Sequence, residues 1–238
     1  MTLTARSLLA LALLAAMGCL PATAGNCDEK AEKDASIEVA GASSIEIDAG
    51  AGSLKIVGRD GATQVEARGT ACSSSARALE RMEITAERRG DRIRIGVEIP
   101  EARMFESSRL DLEVTVPADL PLAVDDSSGE IDVRGTAAVE IEDGSGEIHV
   151  EDVDGDVRVR DGSGEIEIVR VRGSVLIIED SSGEIDVRDV TGDVVVREDG
   201  SGSIRVRDVG GDFVVEADGS GSIDHSGVAG RVKVPRDD

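Results

Sequence analysis

Asp180-Ser181-Ser182-Gly183-Glu184-Ile185-Asp186-Val187-Arg188-Asp189-Val190-Thr191-Gly192-Asp193-Val194-Val195-Val196-Arg197-Glu198 is the stretch that decides the fold. Ile185 and Val187 alternate with charged residues, and Val194 and Val196 keep the same phase of two. A period of two gives a strand one dry face and one wet face. Ser182-Gly183 and Thr191-Gly192 punctuate the strands, because glycine takes the positive φ that tight corners require. One copy therefore holds two short strands and two corners.

The opening Asp-x-Ser-Gly recurs from Asp126, Asp143, Asp161, Asp180, Asp199 and Asp218, at spacings of 17, 18, 19, 19 and 19 residues. A unit this short cannot bury a face alone and must stack on its neighbours. One apolar column runs Ile131/Val133, Ile148/Val150, Ile166/Ile168, Ile185/Val187, Ile204/Val206 and Ile223/His225. A second runs Val139/Ile141, Val157/Val159, Val175/Ile177, Val194/Val196, Phe213/Val215 and Val232/Val234. A third, Val153, Val171, Val190, Val209 and Val228, precedes the second corner. These side chains are nearly all β-branched, which suits strands and disfavours helix. At roughly 4.8 Å per coil, six coils make a core about 29 Å long. An antiparallel sandwich would also show short strands at this spacing, but it has no reason to repeat one residue type at one phase. The expected fold is an all-β, single-stranded β-solenoid (β-helix), with coils of about 19 residues, two short strands per coil and an irregular N-terminal β cap.

Upstream, residues 1–24 read as a signal peptide: Arg6, an apolar stretch from Leu8 to Ala16, and a small-residue cleavage site at Ala22-Thr23-Ala24. That stretch is too short for a membrane span. Cys19 after Gly18 offers an alternative, a lipoprotein anchor, although Ala16 and Met17 match that signal poorly. Residues 25–35 lack periodicity and read as a flexible lead-in. Residues 36–125 read as an irregular β region capping the solenoid of 126–238. Within it, Ile37, Ile45/Ile47, Leu54/Ile56 and Val65 alternate with polar residues. Residues 73–81 read as a helical turn, Ile84 to Ile99 as a hairpin around Arg89-Gly90-Asp91, and Leu110 to Val116 as a strand ended by Pro117.

The chain carries a formal charge of −23. Such an acidic surface repels nucleic acid and anionic lipid, and favours basic partners or divalent cations. Phe105 and Phe213 are the only aromatic residues, so stacking platforms for sugars and bases are lacking. Cys27 and Cys72 are expected to pair, as two cysteines in an exported chain usually do. The loop they close, about 45 residues, corresponds to about 3–4 kcal/mol in the chain-entropy description.

Two acidic columns are the candidate chemistry. Asp126, Asp143, Asp161, Asp180, Asp199 and Asp218 would stand one above another, their like charges repelling. Each carboxylate is expected to cap the amides of its own Ser-Gly corner. The alternative is Ca²⁺ shared between coils, with Asp143, Asp161, Asp180 and Asp199 as ligands. Glu130, Glu147, Glu165 and Glu184 form an outward column, giving way to Ser203 and Ser222. A catalytic carboxylate pair would be a singular break in the repeat, and none stands out. His149 points outward, and His225 ends the first apolar column. Outward Arg residues such as Arg158, Arg188 and Arg207 are expected to form cross-strand ion pairs.

The run Leu112-Glu113-Val114-Thr115-Val116-Pro117, then Leu122-Ala123-Val124, then the repeated Asp-Gly-Ser-Gly-Glu-Ile and Val-x-Gly-Asp-Val, resembles the bacterial putative-adhesin family of exported β-strand-repeat proteins. The resemblance implies a right-handed β-solenoid and an extracytoplasmic location, periplasmic or at the cell surface. It brings no catalytic residues. The function expected is non-enzymatic: flat charged faces that bind a protein or envelope component. The alternative is a structural scaffold stabilised by Ca²⁺ along the Asp column.

Overall fold

Stacked coils satisfy two demands of this sequence together, since every strand pairs with the coils above and below and every apolar column closes on itself. The computed structural model describes residues 27, 29–100 and 107–235. The leader, Cys19 and Phe105 lie outside the described residues.

The N-terminal half holds β1 (Glu29–Glu38), β2 (Ser44–Asp48), β3 (Leu54–Arg59), β4 (Gln64–Ser73), α1 (Ala76–Arg81), β5 (Glu83–Arg89), β6 (Arg92–Glu98), β7 (Ser108–Pro117) and β8 (Leu122–Asp126). The repeats hold β9 (Ile131–Arg134), β10 (Val139–Asp143), β11 (Ile148–Val153), β12 (Val157–Asp161), β13 (Ile166–Val171), β14 (Val175–Asp180), β15 (Gly183–Val190), β16 (Val194–Asp199), β17 (Gly202–Val209), β18 (Phe213–Asp218), β19 (Gly221–Val228) and β20 (Val232–Lys233). They form two ten-stranded sheets. The first runs β1-β4-β7-β3-β9-β11-β13-β15-β17-β19 and the second β20-β18-β16-β14-β12-β10-β8-β2-β6-β5. Each coil crosses from the second sheet to the first at its Ser-Gly corner, and back at the second corner. The molecule is a β-solenoid.

Pairing in the repeats is parallel and places like on like. Ile166 lies beside Ile185, Ile185 beside Ile204 and Val194 beside Phe213. All three apolar columns are buried through the penultimate coil. In the last coil Ile223 and Val228 are only partly covered, and Val232 is exposed. Each fully buried aliphatic side chain contributes on the order of 1.5–3 kcal/mol before conformational entropy is subtracted.

The change of coil length is absorbed in two different ways. Between the first two coils the extra residue falls in the corner after β11. Between the coils opening at Asp143 and Asp161 it falls inside β14, where the β12–β14 register shifts after Val159. The result is a bulge carrying Ile178.

The N-terminal half departs from chain order. β2 pairs with both β6 and β8, and β3 with both β7 and β9, all in parallel. The coil built from Ser44–Arg59 is thus inserted between a β6–β7 coil and the first regular one. Beyond it the sheets end in antiparallel strands, β4 and β1 on one side and β5 on the other. The lead-in expected over 25–35 is strand from Glu29 onward, because β1 finds a complete antiparallel partner in β4. Cys27 and Cys72 are disulfide-bonded, with Cα atoms 5.5 Å apart, which fastens the start of β1 to β4.

Candidate functional site

The Ser-Gly corner owes its shape to contact with the coil beneath. Gly183 has φ +152°, and a Cβ there would lie 1.5 Å from the Gly164 carbonyl oxygen. With no side chain to separate them, successive corners stack backbone on backbone. This brings the residue before each corner under its neighbour's cover.

That residue is the repeated aspartate. Asp126, Asp143, Asp161, Asp180 and Asp199 are only 4%, 7%, 2%, 0% and 2% exposed. They stand in register, Asp126 beside Asp143, Asp143 beside Asp161, and so on to Asp218. The corner amide of Ser182 donates to Asp180 Oδ1 at 3.2 Å. Both carboxyl oxygens of Asp126, Asp143, Asp161 and Asp199 lack a hydrogen-bond partner among the described residues. The capping expected at every corner therefore forms at Asp180, while elsewhere the amides lie close without meeting bonding geometry.

Burial of a charge without a partner favours the protonated acid. Desolvation first, then the charge of Asp143, pushes Asp126 up to about 7. Desolvation and the charges of Asp199 and Asp161 likewise raise Asp180 to about 7. Asp161 and Asp199 rise to about 6, by desolvation and then by a neighbouring aspartate. Asp143 is raised too, chiefly by burial. Burial thus raises the proton affinity of the ladder from Asp126 to Asp199 above that of an ordinary carboxylate. Among the described residues, no group of three His, Cys, Asp or Glu is gathered so as to hold a metal ion.

The outward side of the first sheet is a network of ion pairs. Arg134 meets Asp132 at 2.7 Å and Glu151 at 3.1 Å, and Arg188 meets Glu167 at 2.6 Å. His149 Nδ1 lies 2.7 Å from Glu167, Arg207 lies 2.6 Å from Asp186, and Arg205 pairs with Glu184. Partial burial opposes ionisation of Glu167, but hydrogen bonds from Arg188 and His149 outweigh it and hold that carboxyl below its ordinary value. Glu130, Glu147 and Glu165 are exposed, and His225 is exposed with its ring 6.0 Å from that of Phe213.

The second sheet presents a different face. Its outward row reads Glu46, Ala123, Glu140, Arg158, Leu176, Val195, Val214 and Lys233 across adjacent strands. Leu176, Ile178, Val195 and Val214 are partly exposed aliphatics on a surface otherwise made of charge. Sequence reasoning on the inward columns passed over them. Their signal was the failure of alternation in Val175-Leu176-Ile177-Ile178, Val194-Val195-Val196 and Phe213-Val214-Val215.

A family profile, Toastrack DUF4097, matches residues 36–232. The chain belongs to the Toastrack DUF4097 family. Among solved structures, a putative adhesin from Bacteroides fragilis is 13% identical, covering 87% of this chain and 98% of that one, at a TM-score of 0.39. A putative cell adhesion protein from Clostridium sporogenes is 15% identical, covering 87% and 99%, at a TM-score of 0.34. A putative adhesin from Parabacteroides merdae is 10% identical, covering 89% and 98%, at a TM-score of 0.32. No curated protein matches the chain. No helix among the described residues is long and apolar enough to cross a membrane.

Proposed function

We propose that this protein is a non-enzymatic binding module of the bacterial cell envelope. The observation that carries this reading is that two ten-stranded sheets hold their outward side chains in straight rows, while the interior is filled by aliphatic columns. Such a body offers long flat faces whose charge pattern sets the choice of partner. The acidic ladder repeats coil after coil, whereas an acid–base pair needs two carboxyls in unlike environments. Export is supported by the leader pattern of residues 1–24 and by the disulfide.

Labelled protein added to an isolated envelope fraction tests this. Saturable binding that weakens with salt is expected, because charged faces would supply the contact. Absence of saturable binding at any ionic strength overturns the reading.

A second reading, a scaffold stabilised by Ca²⁺ along the ladder, is favoured by the partnerless carboxyl oxygens of Asp143, Asp161 and Asp199. Melting at pH 8 with calcium and with chelator separates the two. A rise of many degrees with calcium supports the scaffold, and coincident curves overturn it.

A further inference from the structure

The tip of the β5–β6 hairpin, Arg89-Gly90-Asp91, is a surface feature that belongs to neither stack of coils. The two strands close through the two-residue turn Gly90-Asp91, with Arg89 opposite Arg92 as the last pair of the ladder. All three residues are exposed. Gly90 takes φ +69°, and nothing lies within 4 Å of the place its Cβ would occupy. The sequence holds three other Arg-Gly pairs, at 68–69, 134–135 and 172–173, each followed by Thr or Ser. Two of those glycines are packed tightly: an added Cβ would lie 2.5 Å from the Leu110 side chain at Gly69, and 2.4 Å from Asp156 at Gly173. Arg-Gly followed by an acid, on an open turn, occurs only at this tip.

The turn is fastened from outside the hairpin. Ser43, in the β1–β2 connection, donates its amide to the Asp91 carbonyl oxygen at 2.7 Å and its hydroxyl to Asp91 Oδ2 at 2.6 Å. Arg88 donates to the Glu38 carbonyl oxygen at 2.7 Å, and Arg92 pairs with Glu46. The Ser43 hydroxyl is the main reason that the Asp91 carboxyl lies below its ordinary value, so that group is ionised at neutral pH. Arg89 meets Glu87 at 3.1 Å, with side chains 58% and 57% exposed. A pair so open to water holds its members weakly, and the guanidinium is available for exchange to another carboxylate.

A held carboxylate and an exchangeable guanidinium thus stand two residues apart, within about 7 Å of backbone. A carboxylate is a ligand for hard divalent cations. A guanidinium pairs with carboxylates in a planar, two-pronged fit. The glycine between them leaves room for close approach. We propose that this tip is a docking peptide for a receptor site that holds a divalent cation beside an acidic pocket, Asp91 completing the cation's shell and Arg89 entering the pocket. A turn already fixed by Ser43 and Arg88 loses little freedom on binding. Exposed loops on a rigid scaffold are also where recognition residues concentrate. This inference is separate from envelope binding, which rests on the outward rows of the sheets.

The test titrates the full chain onto an immobilised integrin ectodomain of the class that binds Arg-Gly-Asp peptides, in Mn²⁺ and in EDTA. Saturable binding is expected in Mn²⁺, abolished by EDTA and displaced by a soluble Gly-Arg-Gly-Asp-Ser peptide. Asp91→Glu keeps the charge but carries it one methylene further from the backbone, and should weaken binding at least about tenfold. Arg89→Ala should do the same through the acidic pocket. Both positions are exposed, and melting temperatures matching wild type confirm that the variants are folded. Binding of Asp91→Glu to the envelope fraction should equal that of wild type. Absence of cation-dependent binding overturns the proposal, as does an Asp91→Glu chain that binds the ectodomain as tightly as wild type. So does loss of envelope binding with Asp91→Glu, which would assign the tip to the envelope partner.

Discussion

Gly183 is held by two constraints at once. Its φ of +152° is a region that residues with a Cβ rarely enter, and the space a Cβ would need is taken by the Gly164 carbonyl 1.5 Å away. Gly183→Ala must therefore shift backbone against backbone, and should cost about 3 kcal/mol or more. For a chain of this size that corresponds to a fall in Tm of roughly 6–12 °C. Gly61 also has positive φ (+69°) but nothing within 4 Å of the added atom. Gly61→Ala should cost only about 1 kcal/mol, so parallel melts separate steric exclusion from conformational strain. Asp180 makes the opposite prediction. Its carboxyl is fully buried between two other aspartates and titrates at about 7. Asp180→Asn keeps the shape and the acceptor for Ser182, and removes the charge at pH 8. The variant should melt higher than wild type at pH 8, by about 1–3 kcal/mol, and should show little gain at pH 5. A lower melting temperature at both pH values would refute the account of the ladder.

At the scale of single elements, periodicity was a good guide where local chemistry is strong. The hairpin β5–β6 turns at Gly90 with complete antiparallel register, and α1 starts at Ser75, whose hydroxyl accepts from the Ala78 amide. Both follow from residues a few positions apart. β1 was not legible, because Glu29-Lys30-Ala31-Glu32-Lys33 has little apolar content and is an edge strand held by β4 and the disulfide. Its stability is borrowed from its partner rather than written in its own pattern. Cys27→Ser should therefore loosen β1 selectively. Amide exchange in Glu29–Ala35 should speed up about tenfold or more, while β9 to β18 keep their protection. Uniform loss of protection would mean that the disulfide supports the whole stack. The bulge in β14 is a mixed case: the step from 18 to 19 residues is plain in the spacing, but only the register shows that a strand absorbed it.

For the whole molecule, the ladder sets the direction in which stability responds to pH. An unfolded aspartate releases its proton near pH 3.9, whereas the folded Asp126, Asp161, Asp180 and Asp199 hold theirs to about 6–7. Between those values the folded state binds more protons than the unfolded one, so stability falls as pH rises. Glu167 works the other way: its lowered pKa contributes stability that is lost as pH drops below the ordinary carboxylate range. Thermal melts should thus peak near pH 4–5 and decline by several degrees toward pH 8. A profile flat from pH 5 to 8 would mean that these carboxyls ionise normally.

The sequence by itself determined the contents of a coil: which residues face inward, where the corners fall, how long a turn is and that turns stack. These follow from alternation and glycine placement, which act over a few residues. Only the tertiary structure decided which coil lies next to which in the N-terminal half, and that the repeated aspartates are buried. Near-identical repeats specify their neighbours because any slip breaks valine-on-valine contact. The degenerate coils from Ser44 to Val124 carry only generic apolar alternation, which several stacking orders satisfy, so long-range packing selects the insertion of β2–β3. A polar residue beside a corner is likewise exposed or buried according to how closely the next corner settles on it. Here the absent side chain of the following glycine lets that corner settle fully.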